Sequence, residues 1–381
     1  MGVKLIKFID KFIGIPLCLF LGVFNSFKKP GTFKKEKPKS ILIIQLWGIG
    51  ETILTIPAIK ELKRKYSRAS IDILCTARNK DVYLGYRFIR KLIPVNLNPL
   101  SLKWFMLKNW KRYDIVIDME EYLNISAIIS FFAGKYPVGY SHGLRSLVYS
   151  KKVRYNDRQH TSKTFFDLVR ALGVRGTVDR LERLNYPEKD RRTVDSALKN
   201  SGIAKKDLII GIAPGAAESS RSRMWPKKNF AGLIEEICRK KKKCRIILVG
   251  ANYERCLCQD IIGMVKGKKA AKNTFNMAGK FTLKQTFCLI SRCSLFIGND
   301  SGPMHIAAAM GVKTIGLFGP NLPARFSPFN KRSIAIYKKM PCSPCINVHK
   351  GQVPECLYPS TGRDYRKCMK AIKVSDVIKY A

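Results

Sequence analysis

Apolar and polar positions along this chain follow two periods, and the two take turns. The runs SILIIQL (40–46), SIDILCT (70–76) and YDIVIDM (113–119) are short, continuous and rich in β-branched residues, as strands buried on both faces are. Between and after them lie stretches with apolar residues three and four apart: ETILTIPAIKELKRKY from 51, LNISAIISFFAG from 123 and SKTFFDLVRALGV from 162. These read as helices, with Pro57 expected to kink or delay the first and Gly173 to stop the last. From about 175 to 206 the pattern lapses into charged sequence without strand character. It resumes with DLIIGIAPG at 207, CRIILVG at 244, SLFIGND at 294 and KTIGLFG at 313, again separated by helical stretches.

Such alternation implies a largely parallel sheet covered on both faces, and the lapse implies a boundary between two α/β domains in tandem. The expected organisation is an N-terminal segment with a basic linker (1–38), a first domain (39–185), a second domain (186–345) and a cysteine-containing tail with a terminal helix (346–381). That helix, VSDVIKYA, is expected to pack back on the first domain.

The N-terminal segment is apolar from Phe12 to Phe24 and flanked by Lys4, Lys7, Lys11, Lys28 and Lys29. Its apolar part falls short of the roughly 20 residues that span a bilayer, and no small-x-small cleavage signal follows it. The reading preferred is an interfacial anchor, with acyl chains meeting the apolar part and anionic head groups the lysines. A short transmembrane or uncleaved signal anchor, or a helix packed on the body, stays open. The following KKPGTFKKEKPKS reads as a solvated linker.

Charge narrows the class of partner. Seventy-one Lys and Arg against 27 Asp and Glu give a formal net charge of +44. A surplus of that size points to an anionic partner: nucleic acid, an acidic lipid surface or a phosphorylated substrate. The 12 cysteines, most of them in apolar or helical context, suggest a reducing compartment.

In open α/β sheets ligands bind beyond the carboxyl ends of strands, so residues just after each strand are the candidates for chemistry. WGIGE at 47–51 lets the backbone turn at Gly48 and Gly50 and starts a helix with Glu51, either a base or a partner for the helix dipole. APGAAESSRSRMWP at 213–226 offers donors from Gly215, Ser219, Ser220, Arg221 and Arg223 to phosphate oxygens, as a solvated loop also would. VGANYE at 249–254 places Glu254 where a ribose could donate to it, or where an exposed helix residue would sit. GNDSGPMHIAAAMG at 298–311 describes a short helix with Ser301 as its cap, Pro303 in its first turn and Gly311 as its stop. Its N-terminus, with His305 in the first turn, suits a diphosphate, and Asp300 suits sugar hydroxyls. No Asp-x-Asp pair occurs, which disfavours a metal-bridged diphosphate.

From about Lys39 onward the chain resembles glycosyltransferase family 9, the lipopolysaccharide heptosyltransferases. GIGETILTIPAIKELK, APGAAESSRSRMWPKKNF and GNDSGPMHIAAAMGVKTIGLFGP carry the resemblance. It implies the GT-B arrangement: two Rossmann-like domains facing across a cleft, the first binding the acceptor and the second the nucleotide sugar. It further implies inverting transfer of a heptose, usually from an ADP-activated donor, to the inner core of lipopolysaccharide at the cytoplasmic face of the bacterial inner membrane. By motif, Glu51 stands where the family has its acidic base, as Asp in many members. Arg223 stands where a basic residue, often Lys, contacts the donor phosphate. Asp300, Ser301, Gly302 and His305 match donor-binding positions, and Glu254 matches a nucleoside contact. Gly48 and Gly50 belong to the acceptor-side loop, and His160 is either on that side or a helix cap.

No cofactor is expected for catalysis. Cys342, Cys345, Cys356 and Cys368 are candidates for a structural zinc, with free thiols or a redox pair as alternatives. The rival classes are a basic nucleic-acid-binding protein, for which no recognisable module is visible, and an inactive membrane-bound family member. Nucleic acid is not the expected partner.

Overall fold

The computed structural model describes residues 8–27, 38–46, 48–241, 243–352 and 354–381. The expectations for Lys4, Lys7, Lys28, Lys29 and most of the linker lie outside them, as does the side chain of Ser219. The chain forms two compact units, Met1–Val178 and Asp179–Ala381.

The first unit is a six-stranded parallel sheet in the order β3-β2-β1-β4-β5-β6. Its strands are β1 (Ser40–Ile44), β2 (Ser70–Cys75), β3 (Lys91–Pro94), β4 (Tyr113–Asp118), β5 (Gly134–Tyr140) and β6 (Lys151–Val153). The principal helices are α1 (Ile15–Ser26), α2 (Ile49–Lys65), α3 (Pro99–Lys108), α4 (Asn124–Ala133) and α5 (Thr161–Arg170). The central strands β1 and β4 are buried almost throughout, which is why they read as unbroken apolar runs. Because β1 leads to β2 on one side while β4 lies on the other, the order reverses between β1 and β4, and a crevice opens at their carboxyl ends.

The second unit repeats the plan, in the order β12-β11-β10-β7-β8-β9. Its strands are β7 (Leu208–Ala213), β8 (Cys244–Leu248), β9 (Thr274–Asn276), β10 (Leu295–Asn299), β11 (Lys313–Phe318) and β12 (Ile334–Tyr337). The helices are α6 (Glu188–Asn200), α7 (Lys227–Lys240), α8 (Arg255–Gly263), α9 (Leu283–Ser291), α10 (Gly302–Ala309) and α11 (Val374–Ile378). Here the reversal falls between β7 and β10. Each unit is thus a Rossmann-like domain.

Three expectations are corrected. The division falls between Val178 and Asp179 rather than at 185/186, because the intervening stretch is tied into the second unit. Lys284 Nζ donates to Asn185 O at 2.6 Å, Arg183 Nη1 donates to Met310 O at 3.1 Å, and Leu181 and Leu184 are buried. The charged lapse holds no strand, as read, and contains α6, a helix with only Asp190, Val194 and Leu198 buried. Pro57 does not delay α2, which starts at Ile49 and continues past it. The terminal helix α11 packs on α7 of the second unit, with Val377 in that unit's core and Lys338 paired to Asp376 at 2.9 Å. The tail before it is likewise part of that core, through Cys368, Met369 and Ile372.

The N-terminal segment takes the position that sequence left open as a helix packed on the body. Cys18 and Leu21 of α1 join a core cluster with Ala127, Ile128 and Phe131 of α4. No helix among the described residues is long and apolar enough to cross a membrane.

Candidate active site

In the first unit the crevice is built around the turn from β1 into α2. Gly48 has φ +65°, a left-handed conformation that costs glycine little, and a β-carbon there would overlap the Glu51 carboxylate. The side chain of Glu51 is therefore folded back over the Gly48 backbone, in the first turn of α2. Thr52 N and Oγ1 both donate to Gly48 O, at 3.1 and 2.6 Å, closing that turn.

The segment leading into the turn is held from both sides. Glu120, after β4, accepts from Leu46 N at 2.5 Å and Gln45 Nε2 at 3.1 Å. Asn79 Nδ2 donates to Gln45 O at 3.0 Å and to Thr52 Oγ1 at 2.9 Å. Behind Glu120 lies a buried ionic network: Arg145 Nη1 donates to Glu120 O at 2.7 Å, and Arg145 Nη2 pairs with Asp118 Oδ2 at 2.6 Å. Tyr149 and Ser126 hydroxyls donate to that same Asp118 oxygen at 2.7 and 2.8 Å. Tyr122 sits among these acids, and burial first, then Glu120 and Glu51, push its phenol above the ordinary range. A carboxylate on a turn fixed by this many partners is suited to taking a proton from a hydroxyl group.

His160 is a helix cap. Its Nδ1 accepts from Ser162 N at 3.2 Å at the start of α5, which is the local role that sequence had left open.

In the second unit the strand-end groups gather around β10 and β7. Asn299, wholly buried, donates through Nδ2 to Pro214 O at 2.8 Å and Gly215 O at 3.1 Å and accepts from Trp225 N at 3.1 Å. One side chain thereby ties both ends of the 214–225 loop to the end of β10. Arg223 is only 16% exposed, and its Nη1 lies 3.5 Å from Asp300 Oδ2 and 3.4 Å from Asp300 O. Both distances exceed those of a strong charge-assisted bond, so the guanidinium is weakly engaged by its own protein. Its Nε has no hydrogen-bond partner among the described residues. Asp300 is buried and takes Asn321 Nδ2 on Oδ2 at 2.9 Å.

Ser301 occupies the cap position of α10 but does not cap it; its hydroxyl donates to Asn299 O at 3.2 Å. Pro303 carries no N–H and Met304 N donates to Ser301 O at 3.1 Å, so at this end of α10 it is the Gly302 amide that is left to whatever lies beyond β10. Pro303 falls in the first turn and Gly311, at φ +77°, follows the last, as expected. His305 is buried within α10, and Ser220 is buried in the 214–225 loop. Glu254 accepts from Ala251 N at 2.7 Å and lies so close over Gly215 that a β-carbon there would overlap its carboxylate. Burial pushes the Glu254 carboxyl above its ordinary range, although the Ala251 amide counters this.

Gly48, Gly50 and Glu51 thus share the crevice of the first unit, whereas Gly215, Ser220, Arg223, Glu254, Asp300, Ser301, Gly302 and His305 lie at strand ends or in the adjoining loop of the second. The sequence reading passed over Glu120, Tyr122, Asn79, Asn299 and Asn321. The first two follow β4 directly, so the strand-end rule reaches them. The asparagines reveal themselves only by their partners.

Cys342, Cys345, Cys356 and Cys368 line one small cavity together with Ser222, Pro320 and Arg366. Among the described residues no three or more His, Cys, Asp or Glu side chains hold metal-ligating geometry. Burial first, and then the neighbouring thiols, push the Cys345 thiol up. Cys368 rises to about 11, where burial is again the main cause.

Comparison with known proteins agrees with this anatomy. A lipooligosaccharide heptosyltransferase 2 of Campylobacter jejuni is 23% identical over 345 residues, covering 90% of this chain and 97% of that protein. The structure of a glycosyl transferase family 9 protein from Veillonella parvula superposes with TM-score 0.74 at 22% identity, over 90% of this chain and 96% of that one. The Escherichia coli ADP-heptose LPS heptosyltransferase II superposes with TM-score 0.69 at 19% identity, over 90% and 97% of the two chains. The family model for glycosyltransferase family 9 (heptosyltransferase) matches residues 107–353, from α3 to just past the Cys342–Cys345 pair. With its two Rossmann-like units and this match over more than half of its length, the chain belongs to glycosyltransferase family 9.

Proposed function

We propose that this chain is an inverting heptosyltransferase, moving a heptose from ADP-heptose to an acceptor hydroxyl on the inner core of a lipopolysaccharide. The observation that carries the reading is the start of α10, where the helix N-terminus and the Gly302 amide follow β10 beside a largely covered and weakly engaged Arg223. A helix N-terminus and a forked guanidinium together neutralise a departing diphosphate. Glu254 closes the short helical turn that follows β8, a position from which its carboxylate could accept from a ribose hydroxyl. The relatives supply the sugar: the similar E. coli structure is named for ADP-heptose, and the C. jejuni relative for heptose transfer to a lipooligosaccharide.

In the reaction, Glu51 draws the proton from the acceptor hydroxyl while that oxygen attacks the anomeric carbon. The C–O bond to the diphosphate breaks as the new glycosidic bond forms on the opposite face, and the leaving group keeps the electron pair. Arg223 and the N-terminus of α10, with the Gly302 amide, stabilise the charge that develops on it. No covalent intermediate and no catalytic metal is required. A lipid-borne acceptor and the exposed apolar side of α1 support a peripheral location at the cytoplasmic face of the inner membrane.

Arg223→Ala removes the forked donor, and it should lower kcat/KM by about 100-fold and weaken ADP binding. Calorimetry with ADP, UDP and GDP checks both donor base and residue. The wild type should bind ADP alone tightly; equal affinity for all three, or an unchanged Arg223→Ala affinity, counts against this donor site.

A structural zinc at the four cysteines around one cavity is proposed only with a rearrangement of their side chains into a thiolate set, because as they stand they do not hold metal-ligating geometry. Metal analysis of the purified protein should find about one zinc per chain, lost in Cys342→Ser/Cys345→Ser. Zinc-free protein with four titratable thiols at that cavity and an unaltered melting temperature contradicts it.

A further inference from the structure

Two helices of the first unit turn apolar side chains to solvent, and both flank α4. The inner side of α1 and of the turn before it (Asp10–Gly14) is firmly seated. The Asp10 carboxylate accepts from Asn124 N at 3.0 Å and Ile125 N at 2.7 Å, capping α4, and Asn25 Nδ2 donates to Leu147 O at 3.1 Å. Gly22 lies against Leu147 so closely that a β-carbon would collide with it. The outer side presents Phe12, Phe20 and Phe24, each more than half exposed. A helix seated this way cannot rotate to hide them.

Helix α3 does the same on the other flank. Leu102 and Phe105 enter the core, while Trp104 is 68% and Leu107 59% exposed, and Trp110 just beyond is 58% exposed. Met106 of α3 and Leu17 of α1 pack on the same core cluster beneath α4, and the Trp110 ring sits 5.1 Å from that of Phe132 in α4. Single exposed apolar residues are ordinary, but two aromatic strips flanking one helix are not.

Charge selects the occupant. Between 95 and 113 there is no acidic residue, and between 8 and 27 the single one, Asp10, is buried under α4. Lys11, Lys103, Lys108 and Arg112 are exposed along the same elements. Tryptophan and phenylalanine bordered by cations and free of anions match the boundary between acyl chains and anionic head groups. A second copy of this chain would instead set cations against cations.

We propose that α1 and α3 together form one surface that lies on an anionic lipid bilayer, so that the body, and not the N-terminal helix alone, contacts lipid. Asp10 ties this surface to Asn124, four residues after Glu120, so the docked face adjoins the strand-end segment of the acceptor unit. The inference rests on the acceptor being lipid-borne, as proposed above.

Flotation of the full chain with phosphatidylcholine vesicles, with and without about a third phosphatidylglycerol, tests it. The wild type should float only with the anionic vesicles. Trp104→Ser/Leu107→Ser should lower vesicle partition about tenfold, as should Phe20→Ser/Phe24→Ser. Calorimetric affinity for ADP should be unchanged in both, and turnover should fall for a vesicle-borne acceptor but not for a soluble acceptor fragment. If the α3 variant floats like the wild type, the inference is overturned. A dimer of the wild type that the same substitutions dissociate, with no flotation, overturns it in favour of self-association. Failure of the wild type to turn over even the soluble fragment overturns the proposed function instead and leaves the lipid result standing.

Discussion

Glu51→Gln should lower kcat by about 1,000-fold, within the range that a positioned general base contributes, while donor affinity changes by less than about twofold. The amide keeps the size of the side chain and its place over Gly48 but cannot accept the hydroxyl proton. Donor affinity is spared because the groups proposed to bind the donor, Arg223, Glu254 and the N-terminus of α10, belong to the other unit. Glu51→Asp should retain a measurable part of the activity, since it removes one methylene and keeps the carboxylate. Single-turnover rates with saturating donor, beside calorimetric titration, separate the two effects. Equal losses in kcat and in donor affinity would make Glu51 a binding residue.

The second large effect concerns stability. Arg145 and Asp118 are both buried, and burial alone would lower the arginine pKa, yet Tyr149 and Asp118 hold it above the ordinary value. Arg145→Met strands the Asp118 carboxylate away from water, which costs about 3–5 kcal/mol when one partner of a buried pair is removed. For a unit of this size that is a drop of about 10 °C in the melting of the first unit. Arg145→Met/Asp118→Leu removes both charges and should recover much of the loss, because two apolar groups leave no orphaned charge. Differential scanning calorimetry distinguishes these outcomes. An unchanged melting temperature in Arg145→Met would show that the network bears little weight. The same arginine donates to Glu120 O, behind the residue that grips Leu46, so its loss should also slow turnover.

Much of this was legible in the sequence, for physical reasons that also explain the misses. Central strands such as β1, β4, β7 and β10 are buried on both faces and so appear as apolar runs bounded by glycine or polar residues. Edge or short strands are different: β3 is only half-buried, and β6 has two of its three residues exposed, so neither carries such a run. Helix α6 was missed because it buries a narrow stripe and exposes Lys and Arg on the rest.

Strand-end chemistry was legible because Gly48, Glu51, Arg223 and Asp300 belong to local motifs. The Asn299 clamp joins residues 85 apart in sequence, and Glu120 holds Leu46 across 74, separations that no local pattern encodes. The N-terminal segment was legible as apolar and basic. Its seating was not, because the Asp10 cap on α4 spans more than a hundred residues.

The central claim is tested most directly by transfer itself. Purified chain, ADP-heptose and a heptose-deficient inner-core acceptor should yield an acceptor one heptose heavier by mass spectrometry, with one equivalent of ADP released and the anomeric configuration inverted by NMR. Glu51→Gln should give no product on the same timescale. Product that retains the donor configuration, or ADP binding with no transfer to any inner-core acceptor, would contradict the account.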